Sequence, residues 1–293
     1  MSIIFENIEY ITKGGFGKIY KAKWDGFINY WDYKNNRWNR NPYTNKVALK
    51  SLNNSKDITL EFLNEINLHL KMNKSKRIIK LYGITKDPES SNFMMVMNYA
   101  QDGNLRQKLN RNFNTLSWYN KLDILRDIAR GLSDIHEKGL THQDFHSGNI
   151  LRIIIYEVIN GLPPYHDMAH EEFLAIKICH GLGPNFNIKV PQLIVDIFKQ
   201  YVDADPSKRP TAKYLTDTFW QWGHGNYSNT DSEIYKIKKQ IEETDEFNEK
   251  QPSFTKSDNT ELTYTTHPQA IYTSRLLNFN NLPEPKNAEF SGN

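Results

Sequence analysis

An α+β protein is predicted, with strands gathered in the first hundred residues and helices after them. Three observations carry this. Residues 8–50 alternate short apolar runs with turn residues, the pattern of strands. The stretch Trp118–His136 sets Leu122, Leu125, Ala129 and Leu132, flanked by Ile128 and Ile135, on one wide apolar face, which is a helical period. Further helix candidates follow at 171–180 and 192–202, and strands followed by helices define the α+β class.

The elements follow in chain order. Gly14-Gly15-Phe16-Gly17 reads as a turn between two strands, and Val47-Ala48-Leu49-Lys50 as a further strand. Between them, Trp24–Lys46 is a long insertion with seven aromatics: Trp24, Phe27, Tyr30, Trp31, Tyr33, Trp38 and Tyr43. Lys34, Arg37 and Arg40 are interleaved, so stacking on nucleic-acid bases is one reading. An extended hairpin is the other and the simpler one. Leu60–Leu68 has helical apolar spacing, while Ile78–Leu81 and Phe93–Met97 suit strands separated by a loop around Pro88. Asp203-Ala204-Asp205-Pro206 marks a turn. After Trp222 the chain is rich in Asn, Ser, Thr, Glu and Lys. A helix over 231–250 would carry only Ile234, Ile237 and Ile241 on one side, so disorder or loose docking is expected there.

Composition narrows the function classes. From Gly223 onward there are 7 Lys/Arg against 11 Asp/Glu, and 30 against 23 before it. That dispersed charge lacks the clustered basic face of a nucleic-acid binder. No segment is apolar and long enough for a bilayer, since the run 150–159 is broken by Arg152 and Glu157. The start, Met1–Glu6, shows no signal-peptide pattern. The single Cys179 excludes an intrachain disulfide and is expected as a packed core thiol in a reducing compartment. A cytosolic or nuclear location is expected, with neither nucleic acid nor membrane as partner.

The chemistry lies in five stations. Thr12-Lys13-Gly14-Gly15-Phe16-Gly17 is glycine-rich, and Lys50 follows 33 residues after Gly17. Glu65 comes 15 residues later on a helix, with Glu61 one turn earlier as the alternative partner for Lys50. Met97-Asn98-Tyr99-Ala100 precedes Asp102-Gly103, and His142-Gln143-Asp144-Phe145-His146-Ser147-Gly148-Asn149 closes the series. In this order and spacing the stations resemble the protein kinase family, over about residues 8–220.

The resemblance implies a two-lobed fold: an N-lobe over 1–97, a hinge and C-lobe over 98–222, and a polar tail over 223–293. It implies ATP and Mg2+ as cofactors, with Lys13, Gly14, Gly15 and Gly17 near the phosphates and Lys50 on the α- and β-phosphates, held by Glu65. Ile19, Ala48 and Leu151 would cover the adenine. Met97 would lie behind it, with the Asn98 carbonyl and Ala100 amide at its edge. Asp144 would act as catalytic base and Asn149 as metal ligand, and an unidentified protein would be substrate or partner.

What should follow Asn149 is absent. Ile150-Leu151-Arg152 runs directly into Ile153–Gly161, which resembles the middle of a later helix, and neither Asp-Phe-Gly nor Ala-Pro-Glu occurs in the chain. The family's metal-binding aspartate, its activation segment and the glutamate that pairs with Arg209 go with that block. The C-lobe is therefore expected to be truncated and weakened, with Arg209 unpartnered. Phosphotransfer is expected to be lost or severely impaired, which leaves a nucleotide-binding pseudokinase, an interaction module or a truncated product as alternatives.

Overall fold

The computed structural model describes residues 5–14, 17–24, 28–40, 46–52, 55–56, 59–140, 149–225, 232–250, 264–272, 279 and 281–289. These fall into two compact units, one running to Gln101 and the other starting at Asp102. The division lies four residues beyond the expected end of the N-lobe.

The first unit contains β1 (Phe5–Gly14), β2 (Gly17–Trp24), β3 (Ile28–Asp32), β4 (Arg37–Arg40), β5 (Lys46–Leu52), α1 (Leu60–Met72), β6 (Leu81–Lys86) and β7 (Phe93–Asn98). Five strands form one antiparallel sheet in the order β1-β2-β5-β7-β6. Alternation along the strands separates two apolar clusters. Val47 and Leu49 pack with Ala22, Trp24, Met94 and Val96. Leu52, Leu81 and Met95 pack with Ile66 of α1. The strand expected at 78–81 begins only at Leu81. Pairing with β7 sets its register (Leu81 opposite Met97), and Ile79 is left exposed in the approach.

The aromatic insertion contains a separate hairpin of β3 and β4. Trp31 and Trp38 face each other across it, edge to face with ring centres 5.0 Å apart. Asp32 closes the turn by accepting from the amides of Lys34 (3.0 Å) and Asn35 (3.2 Å). A lone two-stranded ribbon is marginal in water, and a ring pair adds about 0.5–1.5 kcal/mol. Two of the seven aromatics are thereby accounted for by local structure.

The second unit is helical: α2 (Leu105–Asn112), α3 (Trp118–His136), α4 (Asn149–Asn160), α5 (Glu172–Cys179), α6 (Gln192–Tyr201), α7 (Ala212–His224) and α8 (Glu233–Lys250). Asn104 and Ser117 start α2 and α3 with reciprocal capping boxes to Gln107 and Asn120, which satisfy otherwise orphaned amides. One core joins Leu122, Leu125 and Ala129 of α3 to Ile155, Val158 and Ile159 of α4. Ile194 and Phe198 of α6 and Leu215 and Phe219 of α7 complete it.

Three expectations are corrected here. The polar tail is not structureless over 233–250: Ile237 is fully buried and Ile241 nearly so, both within that core. Residue count misled, because two isoleucines suffice when the face they cover is already built. Cys179 is half-buried rather than packed in the core, since α5 buries only Leu174. Arg209 is also not an uncompensated buried charge. It is half-buried, and its guanidinium donates to the carbonyls of Asp203 (2.8 Å) and Ala204 (3.5 Å).

The end of α4 is closely held. Arg106 pairs with Glu157 (2.6 Å) and donates to the Gly161 carbonyl (2.7 Å). Gly161 itself has φ +80, and a Cβ there would strike the Phe113 ring. Lys121, buried on α3, donates to the Ile159 carbonyl (3.2 Å) and lies 4.1 and 4.5 Å from the ring centres of Phe113 and Trp118. Burial pushes its ammonium down to about 7, against the pull of Asp245 on α8.

Unfolded, this lysine titrates near 10.5. Between pH 7 and 10.5 the unfolded chain therefore binds the extra proton, so this group makes stability rise with pH across that window. The urea midpoint of unit 2 should climb from pH 7 to pH 10, by at most about 4 kcal/mol in free energy. Lys121→Met should flatten the climb. An unchanged slope in the variant would assign it to other groups.

Candidate functional site

The first unit positions its candidates through strand register. Ile19 of β2 lies opposite Lys50 of β5, and Ala48 lies opposite Met97 of β7. Directly opposed residues of antiparallel strands share a face, and residues two apart on one strand do so too. Ile19, Ala48, Lys50 and Met97 therefore stand on one side of the sheet, opposite the side that buries Val47 and Leu49. Lys50 is half-buried on the central strand.

Met95, almost fully buried and opposite Lys50, belongs to the same face and was not singled out from the sequence. The unbroken apolar run Phe93–Met97 hides which of its members point to which side. Ile66 of α1 shares a cluster with Met95, and Met97 packs against that cluster, so this helix covers part of that face. Glu65 precedes Ile66 in α1; its side chain and that of Glu61 lie outside the described residues.

The glycine-rich turn joins β1 to β2. Lys13 pairs with Lys18 and Gly14 with Gly17, leaving Gly15 and Phe16 as a two-residue connection outside the described residues. Gly17 has φ +155, and a Cβ there would run into the Ser51 carbonyl of β5. Its glycine is thus required by the close passage of β2 past β5, in addition to any clearance for a phosphate. At the far end of β7, the Asn98 amide donates to Lys80 (2.9 Å) and its side-chain oxygen accepts from the Tyr82 hydroxyl (3.3 Å). Burial pushes that hydroxyl's titration up. Ala100 follows, exposed, just before the division at Gln101.

In the second unit, Asp144 and the rest of 141–148 lie outside the described residues. Asn149 and Leu151 fall in the first turn of α4, and their side chains are likewise outside. The backbone of α4 continues without interruption through Arg152 and Ile153 to Asn160. Among the described residues no three of His, Cys, Asp and Glu gather in a way that would hold a metal ion. Magnesium favours one or two carboxylates with phosphates and waters. The one ligand position matched in the sequence, Asn149, offers a neutral carbonyl, so this donor set fits Mg2+ poorly. No helix among the described residues is long and apolar enough to cross a membrane.

A five-stranded antiparallel sheet with one packed helix, followed by an all-helical unit, is the α+β fold of a protein-kinase-like domain. The sequence profile of protein tyrosine and serine/threonine kinases matches residues 5–153, just over half of the chain. The chain belongs to that family. A probable serine/threonine-protein kinase of Dictyostelium discoideum is 30% identical over 149 residues, 51% of this chain and 14% of that protein. The calmodulin-binding receptor-like cytoplasmic kinase 1 of Arabidopsis thaliana is 30% identical over 155 residues, 50% of this chain and 28% of its own length. The tyrosine-protein kinase SPK-1 of Girardia tigrina is 23% identical over 150 residues, 50% of this chain and 27% of that protein. The chain thus spans less than a third of the length of each of these three relatives. The profile match stops at Ile153, and neither Asp-Phe-Gly nor Ala-Pro-Glu occurs in the sequence.

Proposed function

We propose that this chain binds ATP through its first unit and transfers the γ-phosphoryl group to protein hydroxyls very poorly or not at all. The observation that carries the first half is the shared sheet face of Ile19, Ala48, Lys50 and Met97. An apolar surface beside a strand lysine suits a purine with its phosphates, and backbone at Gly14 and Gly17 permits close approach of phosphate oxygens. ATP, when bound, would supply the transferable phosphoryl group. Lys50 would neutralise its phosphates, and Asp144 would orient an acceptor hydroxyl.

The second half rests on continuity. The chain passes from Asn149 into a helix whose later residues, Ile155, Val158 and Ile159, are anchored in the core. The metal-binding Asp-Phe-Gly and the activation segment have no counterpart between them. A cytosolic nucleotide-binding interaction module, recognising a protein partner, is the reading this favours over an active phosphotransferase.

ATP should raise the melting temperature of the purified chain, Lys50→Ala should abolish the shift, and magnesium should barely alter it. A shift that Lys50→Ala leaves intact would remove Lys50 from the site. A shift that depends strongly on magnesium would show that another carboxylate serves as metal ligand.

A further inference from the structure

Beyond α8 the chain returns to the second unit twice, over 264–272 and 281–289. In the first pass the His267 amide donates to the His166 carbonyl (2.8 Å) and the His170 amide to the Gln269 carbonyl (3.0 Å). The Ile271 amide donates to His170 Nδ1 (3.2 Å), and the Tyr272 hydroxyl donates to the Pro164 carbonyl (2.9 Å). The Tyr272 ring stands edge-on to His170 with centres 4.7 Å apart. In the second pass Lys286 and Glu289 donate their amides to Cys179 and Gly181 (both 2.8 Å), and Glu289 forms a parallel bridge with Leu182. Asn287 accepts from the Ala204 amide (2.7 Å) and donates to Asp203 (3.3 Å).

Two features separate these passes from α8. First, no described residue of 264–272 or 281–289 is fully buried, whereas α8 inserts Ile237 and Ile241 into the core. Apart from Tyr264, which packs partly buried against the Leu109–Phe113 cluster and edge-on to His166, the passes are held by polar bonds, mostly to main chain, and each such bond exchanges for one to water on release. Segments with few buried apolar contacts open without the rest of the fold. Second, the surface beneath is shaped for a backbone. Gly181 has φ +100, and a Cβ on it would come within 2.9 Å of the Asn287 carbonyl oxygen. Tyr165, held at φ +55, donates its hydroxyl to the Leu182 carbonyl (2.8 Å) and so ties the two contact patches together.

We propose that residues 164–170, 179–182 and 203–204 form a docking surface for an extended peptide, filled in cis by the chain's own 264–272 and 281–289. Recognition is by main-chain pairing, as when a peptide adds to an exposed edge. Two side-chain anchors give it selectivity: a tyrosine reaching Pro164 and His170, and an asparagine 15 residues later bridging Ala204 and Asp203. The occupant in trans is a peptide with those same anchors, and tethering gives the cis copy an effective concentration on the order of millimolar. This inference is independent of the nucleotide reading, since every described residue it uses belongs to the second unit.

Amide hydrogen exchange on the full chain tests it, alongside a fluorescently labelled synthetic peptide of residues 264–289. In Tyr272→Phe/Asn287→Ala the amides of His267, Lys286 and Glu289 should exchange at least tenfold faster, while the Ile237 amide stays as it was. The labelled peptide should bind that variant at least tenfold more tightly than the unaltered chain. For the unaltered protein, excess unlabelled peptide should by itself accelerate the three amides, a measurement that needs no variant. The proposal is overturned if those amides exchange only together with α8, or show no protection at all. It is equally overturned if a chain with its own segment released fails to take up the peptide.

Discussion

Ile237→Ala will destabilise the second unit by about 2–5 kcal/mol, the range for truncating a fully buried isoleucine. Ile237→Asp, which places a charge in the same site, will unfold it. The expectation follows from how α8 is held. Besides Ile237 and Ile241 in the core, Gln240 accepts from the Leu193 amide (2.9 Å). Asn248 both accepts from the Lys189 amide and donates to its carbonyl (2.9 Å each). Trp222 of α7 donates its indole N–H to Glu233 (3.0 Å). Urea unfolding followed by the fluorescence of Trp222 and its neighbours measures the loss. A variant that melts with the unaltered protein would show α8 to be an appendage, and the core would have to be redrawn without it.

Phosphotransfer carries the other large expected effect. The purified chain should phosphorylate a generic protein substrate at least about three decades more slowly than an ordinary kinase. That deficit corresponds to several kcal/mol of missing charge neutralisation at the transferring group. Phosphoryl transfer depends almost wholly on positioning and electrostatic stabilisation. In the proposed reading Asp144, Lys50 and Glu65 would supply part of that machinery, and Asn149 would lack a carboxylate partner. Any residual signal should therefore be the same in Asp144→Ala, which marks it as contamination. A robust signal that Asp144→Ala eliminates would restore the enzyme and overturn the proposed loss. Assays with radiolabelled ATP on both proteins, prepared in parallel, separate these outcomes.

Much of the framework was legible because it rests on local periodicity. The 3.6-residue spacing of Leu122, Leu125, Ala129 and Leu132 is buried as α3, and the runs flanking Gly14–Gly17 pair as β1 and β2. The kinase stations were legible as ordered motifs, and the family match over residues 5–153 covers all five. Other features have no local signature. The start of β6 at Leu81 depends on its partner strand, and the inward direction of Met95 is masked by apolar neighbours on both sides. The partners of Arg209 are carbonyls, which carry no mark in a sequence.

The sequence by itself determined the class of fold and the family, and shows that neither Asp-Phe-Gly nor Ala-Pro-Glu follows Asn149. Those are properties of residue type and order along the chain. Only the tertiary structure decided that Ile19, Ala48, Lys50 and Met97 share a face, because a shift of one residue in register would reverse every side chain. It alone also decided that a polar segment holding three isoleucines is part of the core while the described segments after it, 264–272 and 281–289, lie on the surface. The physical reason is that burial belongs to a pair of surfaces. Ile237 and Ile241 gain a place inside only because α3, α4, α6 and α7 have already assembled the face that they cover.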